Sequence, residues 1–466
     1  MFPNFIHSIG FLIALFIAQL GFAQSEFFVG IEPPEYMNNF GPGLFLDDDA
    51  GLTVLGSFEF DATAFEAAAN AGSILLPVQH SNNPSYMDWR ELVLVDQASG
   101  QIWDDPLNQF LSYNMYTFQE SDGDLAAAVT MSDGNFGIVQ FHEYRNSSNQ
   151  AETDVLVWYP APAGSPHGGQ YGAPRDRSLA QLLATAGSPT PMSMACEETS
   201  DAESTEGPQT AEIPASLAVT SNGVQALLNS VAYSEAVRAM IPASMHLSTH
   251  ALLYSALANG IMRPELGLVL RPQMVLQITD AQVNNVDTYA PATTSQASLT
   301  DTLRWPSLAV DNQVTQSNPG FFVDFGHNFI YGGGGVANNS SACNTATPGR
   351  KYRGVTRMDW VFDMFDLMVY VHEMGHQMSA RHTFNANQTN STTTATQRTA
   401  TSAYEAGSGY TLMSYMHQCP ETYPVPGGGA ATTNHRVSFR ARNRMGRTPI
   451  WEEHYADIRY KFHTHS

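Results

Sequence analysis

The chain has 466 residues and a formal net charge of −23, with 43% hydrophobic residues. It is long enough for about two or three domains. So negative a surface excludes nucleic acid as a favoured partner, because the phosphate groups would be repelled.

The first 23 residues have the pattern of a cleavable export signal. An apolar run at residues 9–18 is followed by Gly21-Phe22-Ala23, a small-x-small sequence that suits signal peptidase. The run is too short to span a bilayer comfortably, and no other segment reaches transmembrane length. We predict a signal peptide over residues 1–23 and a secreted mature protein without a membrane span.

Residues 24–160 are predicted to form a β-rich domain. Turn sequences such as Ser132-Asp133-Gly134-Asn135 separate several short strand-like runs, at residues 52–55, 73–76, 92–95 and 136–139. No cluster of metal-ligating or nucleophilic residues occurs in this part of the sequence.

Residues 161–212 have the composition of a linker. A stretch rich in proline and glycine opens it, and the acidic residues 197–203 lie towards its end. Such segments are solvated and easily cut, so we expect a maturation cleavage in the last third of this range.

Residues 213–466 are predicted to form one mixed α/β domain. Its clearest segments are a strand at 215–219, a helix at 223–262 interrupted by Pro242, a strand at 266–278 with an edge or bulge at Pro272, and a strand at 321–331. His246 and His250 are four residues apart, but they lack an intervening glutamate and a third ligand. A solvated helix face is therefore the favoured interpretation of this pair.

The strongest functional signal is the sequence His372-Glu373-Met374-Gly375-His376. On a helix the two imidazoles project from one face, one turn apart, so they can bind one metal ion together. The apolar residues 361–371 before them predict a buried helix. A core helix with two satisfied histidines is the alternative, but burying two imidazoles and a carboxylate without a metal is costly.

Zinc bound by these two histidines needs a third protein ligand and keeps a fourth position for water. His382 supplies that ligand if the helix ends after about Gln377 and the chain doubles back. Glu373 is not expected to bind the metal. Its carboxylate can take a proton from a zinc-bound water and pass it to the leaving amine.

Three stretches resemble the secreted bacterial reprolysin-like metalloproteases, which are metzincin zinc endopeptidases with a Met-turn: residues 332–337, 372–385 and 403–415. The resemblance implies a catalytic domain with a twisted mixed sheet, an active-site helix and one catalytic Zn²⁺ held by His372, His376 and His382. Met413 would lie beneath the zinc and Tyr415 would stabilise the oxyanion. Ordinary core packing is the alternative for both.

The same resemblance implies a zymogen that acts on protein or peptide substrates. Residues 24–160 would be its β-rich propeptide, and an edge strand near residues 321–335 would pair with the substrate backbone. Cys196 would bind the zinc as a cysteine switch, although an unpaired structural cysteine is equally compatible with the sequence. An independent β-domain is the alternative for residues 24–160.

Cleavage beyond Cys196 would leave two cysteines, Cys343 and Cys419. In an oxidising compartment the simplest expectation is a disulfide between them. The sequence gives no sign of whether calcium binds. The ending of the chain resembles a point at which family members continue, which predicts a C-terminal truncation.

One departure from the metzincin pattern keeps two alternatives open. The pattern has glycine at the position of Ser379, where a tight and often left-handed turn is needed. A secreted binding protein that keeps the fold but not the activity is one alternative. A gluzincin-like hydrolase, in which a carboxylate such as Glu405 replaces His382, is the other.

Overall fold

The structure is a computed structural model that describes the residues in fourteen ranges: 27–29, 52–80, 83–120, 124–145, 151–165, 168–174, 197–199, 224–278, 322–331, 334–344, 349–358, 361–362, 364–383 and 412–413. Among these residues, no helix combines the length and apolar character that a membrane crossing requires. The predicted signal peptide lies outside them.

The first half of the chain is an antiparallel β-structure with one helix. Its elements are β1 (Phe28–Val29), β2 (Leu52–Phe60), α1 (Ala62–Ala71), β3 (Ser73–His80), β4 (Asn83–Asp104), β5 (Gln109–Gln119), β6 (Leu125–Met131), β7 (Phe136–Arg145), β8 (Ala151–Pro160) and β9 (Gly169–Pro174). All four predicted strand-like runs lie in these strands, and Gly134 occupies the predicted turn with a φ of 88°.

The second half alternates strands and helices. Its elements are β10 (Glu197–Thr199), β11 (Gln225–Ser234), α2 (Glu235–Met240), α3 (Leu247–Leu266), β12 (Leu268–Ile278), β13 (Phe325–Tyr331), β14 (Gly334–Asn338), a 3₁₀ turn (Arg350–Tyr352), β15 (Gly354–Met358) and α4 (Met364–Gln377). The range predicted as a linker, 161–212, therefore contains β9 and β10. The predicted strand at 215–219 lies outside the described residues.

The strands form one mixed sheet that runs through both halves. Its order is β1-β2-β9-β8-β7-β6-β5-β4-β12-β11-β13-β15-β14-β10, with β3 paired to β4. Strands β4, β12, β11, β13 and β15 pair in parallel, whereas β14 is antiparallel to β15. The coarse prediction of a mixed α/β fold with a twisted mixed sheet and few helices is confirmed.

The prediction of a helix from residue 223 is wrong in its first part, because residues 225–234 form the parallel strand β11. A buried parallel strand is a continuous apolar run, and periodicity alone does not separate it from a buried helix. The side chain of Ser234 then caps α2 by accepting a hydrogen bond from the amide of Val237 at 3.3 Å. The predicted break at Pro242 is confirmed by the gap between α2 and α3.

Helix α3 lies in the centre of the core and packs against strands of both halves. Its His250 is fully buried, with Nδ1 2.8 Å from the hydroxyl of Tyr233. Burial lowers the pKa of His250 to about 3, so the imidazole is neutral at neutral pH. The interpretation of His246 and His250 as a solvated helix face is wrong for His250, because Tyr233 of β11, Phe329 of β13 and Phe362 pack around its ring.

Asn259 is the main polar link within this core. Its Oδ1 accepts a hydrogen bond from the amide of Leu270 at 2.6 Å, and its Nδ2 donates to Asp96 at 3.2 Å and to the Leu270 carbonyl at 3.3 Å. We predict that Asn259→Ala lowers the free energy of unfolding by about 2–3 kcal/mol, because it leaves buried polar groups without partners. Denaturant unfolding measures this change.

The matched control is Asn70→Ala, which removes an exposed hydrogen bond from Gln97. We expect it to change the free energy of unfolding by less than about 0.5 kcal/mol. Equal losses in the two variants would contradict a structural role for Asn259.

Candidate metal centre

Helix α4 carries the first two candidate ligands and packs against β14 and β15. His372, Glu373 and His376 are buried on this helix, with exposed fractions of 3%, 0% and 0%. The apolar residues around them, including Val371 and Met374, are also buried, which explains why this sequence forms a core helix.

The three candidate histidines come together at one point. Nε2 of His376 lies 3.0 Å from Nε2 of His372 and 3.0 Å from Nε2 of His382. Two nitrogens bound tetrahedrally to zinc are separated by roughly 3.3 Å, so these spacings fit one small cation. Within the described residues this is the only cluster of three or more histidine, cysteine or acidic side chains that could hold a metal.

Backbone carbonyls hold two of the imidazoles through their other nitrogen. Nδ1 of His372 contacts the carbonyl oxygen of Leu412, and Nδ1 of His376 lies 2.8 Å from the carbonyl oxygen of Ala380. A carbonyl only accepts, so each Nδ1 carries the proton and each Nε2 is left with a lone pair. These contacts fix the tautomer and ring orientation that a metal ligand needs.

Burial keeps these imidazoles uncharged. It lowers the pKa of His372 to about 3, an effect that the nearby His376 strengthens and the Leu412 carbonyl opposes. Burial also lowers the pKa of His376 to about 4. Neutral imidazoles whose lone pairs face one another fit a bound cation, and this donor set is one that zinc prefers.

The turn after α4 brings His382 to the other two ligands. The amide of Ser379 donates to the carbonyl of His376 at 2.8 Å, and the amide of Ala380 donates to the carbonyl of Gly375 at 2.8 Å. These two bonds form a Schellman motif, whose C′ residue needs a left-handed conformation. Ser379 occupies that position with a φ of 79°.

A neighbouring loop supports this unusual serine. The hydroxyls of Ser340 and Ser379 are 2.7 Å apart, and the amide of Ser340 donates to the carbonyl of His376 at 3.0 Å. The helix therefore ends at Gln377 and the chain doubles back, as the sequence predicts.

Residues 412–413 pack against the metal-binding segment. Met413 is buried, and its sulfur would lie 2.5 Å from a Cβ placed on Gly375. Its carbonyl accepts a hydrogen bond from the amide of Thr383 at 2.9 Å, next to the third histidine. Met413 therefore lies against the helix that carries the candidate ligands, and its place beneath a zinc ion stays a prediction.

Glu373 lies against strand β14. A Cβ placed on Gly335 would come within 2.6 Å of Cγ and 2.7 Å of Oε1 of Glu373. Only glycine allows the strand to approach the carboxylate so closely. The strand predicted at 321–331 is β13, which lies between β11 and β15 and is no edge strand. The antiparallel strand near the site is β14, which begins at the end of the selected region and pairs on its outer side with β10.

A buried polar network holds the end of α4 and was not predicted from the sequence. Nδ1 of His327 lies 2.9 Å from Oε1 of Gln377, and its Nε2 lies 2.9 Å from the hydroxyl of Thr356. Gln377 also donates to the carbonyl of Gly326 at 2.9 Å. Burial lowers the pKa of His327 to about 4, so it acts as a neutral hydrogen-bonding group. The only signal in the sequence is a glutamine directly after the second ligand.

Four of the remaining predicted residues lie outside the described part of the chain: Tyr415, Cys196, Cys419 and Glu405. Cys343 forms no disulfide with another described residue, and its sulfur lies 3.9 Å from Oδ1 of Asp324. The disulfide with Cys419 stays a prediction.

We predict that Ser379→Gly keeps zinc bound and raises the free energy of unfolding by up to about 1 kcal/mol. Glycine removes the cost of the left-handed conformation and loses only an exposed hydrogen bond. Ser379→Val should lower that free energy and weaken zinc binding, because a β-branched residue resists a positive φ. Thermal unfolding and competition with a chelator measure both effects. Loss of zinc from Ser379→Gly would show that the contact with Ser340, rather than the turn, holds His382.

Comparison with known proteins agrees with this geometry over part of the chain. No curated protein matches the chain significantly. Residues 232–423, less than half of the chain, match the Reprolysin_5 family model, described as metallo-peptidase family M12. This match includes all three histidines, Glu373 and Met413, and it supports a zinc-dependent peptidase.

Proposed function

We propose that the protein is a secreted zinc-dependent endopeptidase that is made as an inactive precursor. The observation that carries the peptidase assignment is the convergence of three buried imidazoles in the same helix–turn segment as the buried Glu373, inside the region that matches a metallopeptidase family.

His372, His376 and His382 would hold the zinc ion. When bound with one open position, zinc polarises a peptide carbonyl and lowers the pKa of water. Glu373 then acts as general base: it takes a proton from the attacking water and gives it to the leaving amine. Its full burial excludes bulk water from the carboxylate, which strengthens its interactions with charges that develop nearby.

The position of His382 favours the three-histidine site over the gluzincin-like alternative. His382 is fully buried, and its Nε2 lies at the same distance from His376 as that of His372. Glu405, the alternative third ligand, lies outside the described residues. Met413 would support the ligands from below, and Tyr415 remains our candidate for stabilising the oxyanion.

Strand β14 is the surface on which an extended substrate would bind. Such a strand offers backbone amides and carbonyls to a peptide, and β14 lies directly against Glu373. The position of β10 supports control through a precursor: this short strand pairs in parallel with β14, with Glu197 opposite Val336. A segment of the chain itself therefore lies along the edge that a substrate would use.

Cys196 directly precedes β10 in the sequence. We propose that its thiolate is the fourth zinc ligand in the precursor, because sulfur binds zinc well and would replace the water. Cleavage in the linker on both sides of residues 196–199 would remove both the strand and the thiol. The proposal of secretion rests on the pattern of residues 1–23.

We predict that Glu373→Gln retains zinc and loses hydrolysis of a general protein substrate by about 10²–10⁴-fold, because the amide accepts no proton. The measurement compares turnover and zinc content of the parent and the variant, both activated by limited proteolysis in the linker. His382→Ala is the companion variant and should lose zinc.

Two outcomes would refute the proposal. If the activated parent binds zinc and cleaves nothing, the protein is a binding protein that keeps the fold. If His382→Ala retains tightly bound zinc, a carboxylate is the third ligand.

We also predict that Gly335→Ala lowers turnover at least about tenfold while zinc content stays at the parent level. The new methyl group would displace the carboxylate of Glu373 without touching the histidines. The control is Gly168→Ala, whose methyl group would meet only Oε2 of Glu59 at 3.1 Å, far along the chain from the site. Unchanged turnover in Gly335→Ala would contradict the role given to this contact.

A further inference from the structure

Helix α3 is the place where the two halves of the chain meet. Every residue from Leu247 to Met262 is buried, including five polar ones, Ser248, Thr249, His250, Ser255 and Asn259. The helix packs on β12 of the second half and on β4, β5, β6 and β7 of the first half, which are consecutive strands of the sheet. A helix on a domain surface keeps a polar stripe for solvent, and this helix has none over those residues.

The helix and the N-terminal sheet fit each other in shape. A Cβ on Gly260 of the helix would lie 2.3 Å from Cδ1 of Leu125 in β6. A Cβ on Gly137 in β7 would lie 2.7 Å from Cδ1 of Leu253 in the helix. Glycine on each side lets the backbones approach closely, which is typical of a permanent packed core.

Buried hydrogen bonds also cross this junction. The hydroxyl of Thr117 donates to the carbonyl of Ala256 at 2.8 Å, and the hydroxyl of Thr249 donates to Oδ1 of Asn135 at 2.8 Å. Nδ2 of Asn135 in turn donates to the carbonyl of Ser244 at 2.8 Å. In the folded chain these groups are shielded from water, and separation of the two halves would break the hydrogen bonds between them.

A buried ion pair and a strand pair complete the junction. Arg271 of β12 donates through both terminal nitrogens to Asp96 of β4, at 3.0 and 3.2 Å, and Asp96 is only 8% exposed. Strands β4 and β12 pair in parallel, with Trp103 opposite Met274. The sheet is therefore continuous from one half into the other.

We infer that the N-terminal sheet, residues 52–174, is a permanent structural partner of the catalytic half and stays bound to it after the linker is cut. The N-terminal sheet, which belongs to the same chain, covers the part of α3 that the second half alone would leave exposed. Activation then removes the strand β10 from the edge of β14 and leaves the N-terminal sheet in place. This inference rests on the proposed function in one respect only, namely that the inactive precursor is cut in the linker.

The test uses the full chain with two specific protease sites, one inserted after residue 190 and one after residue 205, so that cutting at both releases Cys196 and β10 together. The protein is purified, cut to completion without denaturant and examined by size-exclusion chromatography with light scattering. We expect one species with the summed mass of the two large fragments, which separate from each other only in denaturant. Elution of the N-terminal fragment apart from the remainder would overturn the inference.

A pair of variants on one strand tests the junction itself. Asp96→Ala removes the partner of Arg271 and should lower the urea concentration that separates the cut halves by roughly 1 M. Glu91→Ala is the control, because Glu91 is an exposed acid on the same strand that bonds only within the N-terminal sheet, to Ser73. If Asp96→Ala does not fold, Asp96→Asn should shift the midpoint in the same direction by a smaller amount. Equal midpoints for the Asp96 variant and the Glu91 variant would overturn the assignment of this surface.

Peptidase activity is measured separately on the cut protein. A complex that stays together but hydrolyses nothing would refute the proposed function and leave this inference standing. Halves that separate to give an active C-terminal fragment would support the proposed function and refute the inference.

Discussion

The turn that ends helix α4 is the constraint on which the metal centre depends. It brings the carbonyl oxygen of Ala380 within hydrogen-bonding distance of Nδ1 of His376. It also reverses the chain, so that Nε2 of His382 lies close to Nε2 of His376. The carbonyl oxygen of Leu412 likewise contacts Nδ1 of His372, and Thr383 is bonded to Met413. Two of the three imidazoles are thus oriented by backbone carbonyls, and the turn brings the third to them.

The same turn is supported from the sheet. Ser340, which follows β14, bonds to the carbonyl of His376, and Gln377 is held by His327 of β13. Strand β14 also lies against Glu373 through Gly335. The strand on which a substrate would lie and the groups that would act on it are therefore in direct contact, which favours a preorganised site. Strand β10 pairs with the outer edge of β14.

The centre could be predicted from the sequence because its information is local. His372, Glu373 and His376 lie within two turns of one helix, and the end of that helix at Gln377 with a return through His382 follows from spacing. The network of His327 was not predicted, because its partners are 50 and 29 residues away and no spacing rule links them. Strand β11 was mistaken for helix for a related reason: its apolar character comes from burial between β12 and β13, which is a property of the sheet.

The burial of His250 shows how helix α3 packs towards the site through the core. By spacing alone His246 and His250 fit a solvated pair, but Tyr233 of β11 and Phe329 of β13 pack against the ring of His250. His250 then packs its ring 4.6 Å from that of Phe362, just before α4, and Tyr254 packs 6.1 Å from Tyr370 within it. Because a packed interior transmits strain, the position of the helix that carries the ligands depends on α3, and α3 in turn packs on strands of the N-terminal sheet. A catalytic half without that sheet would expose the apolar side of the helix against which its own metal-binding helix packs.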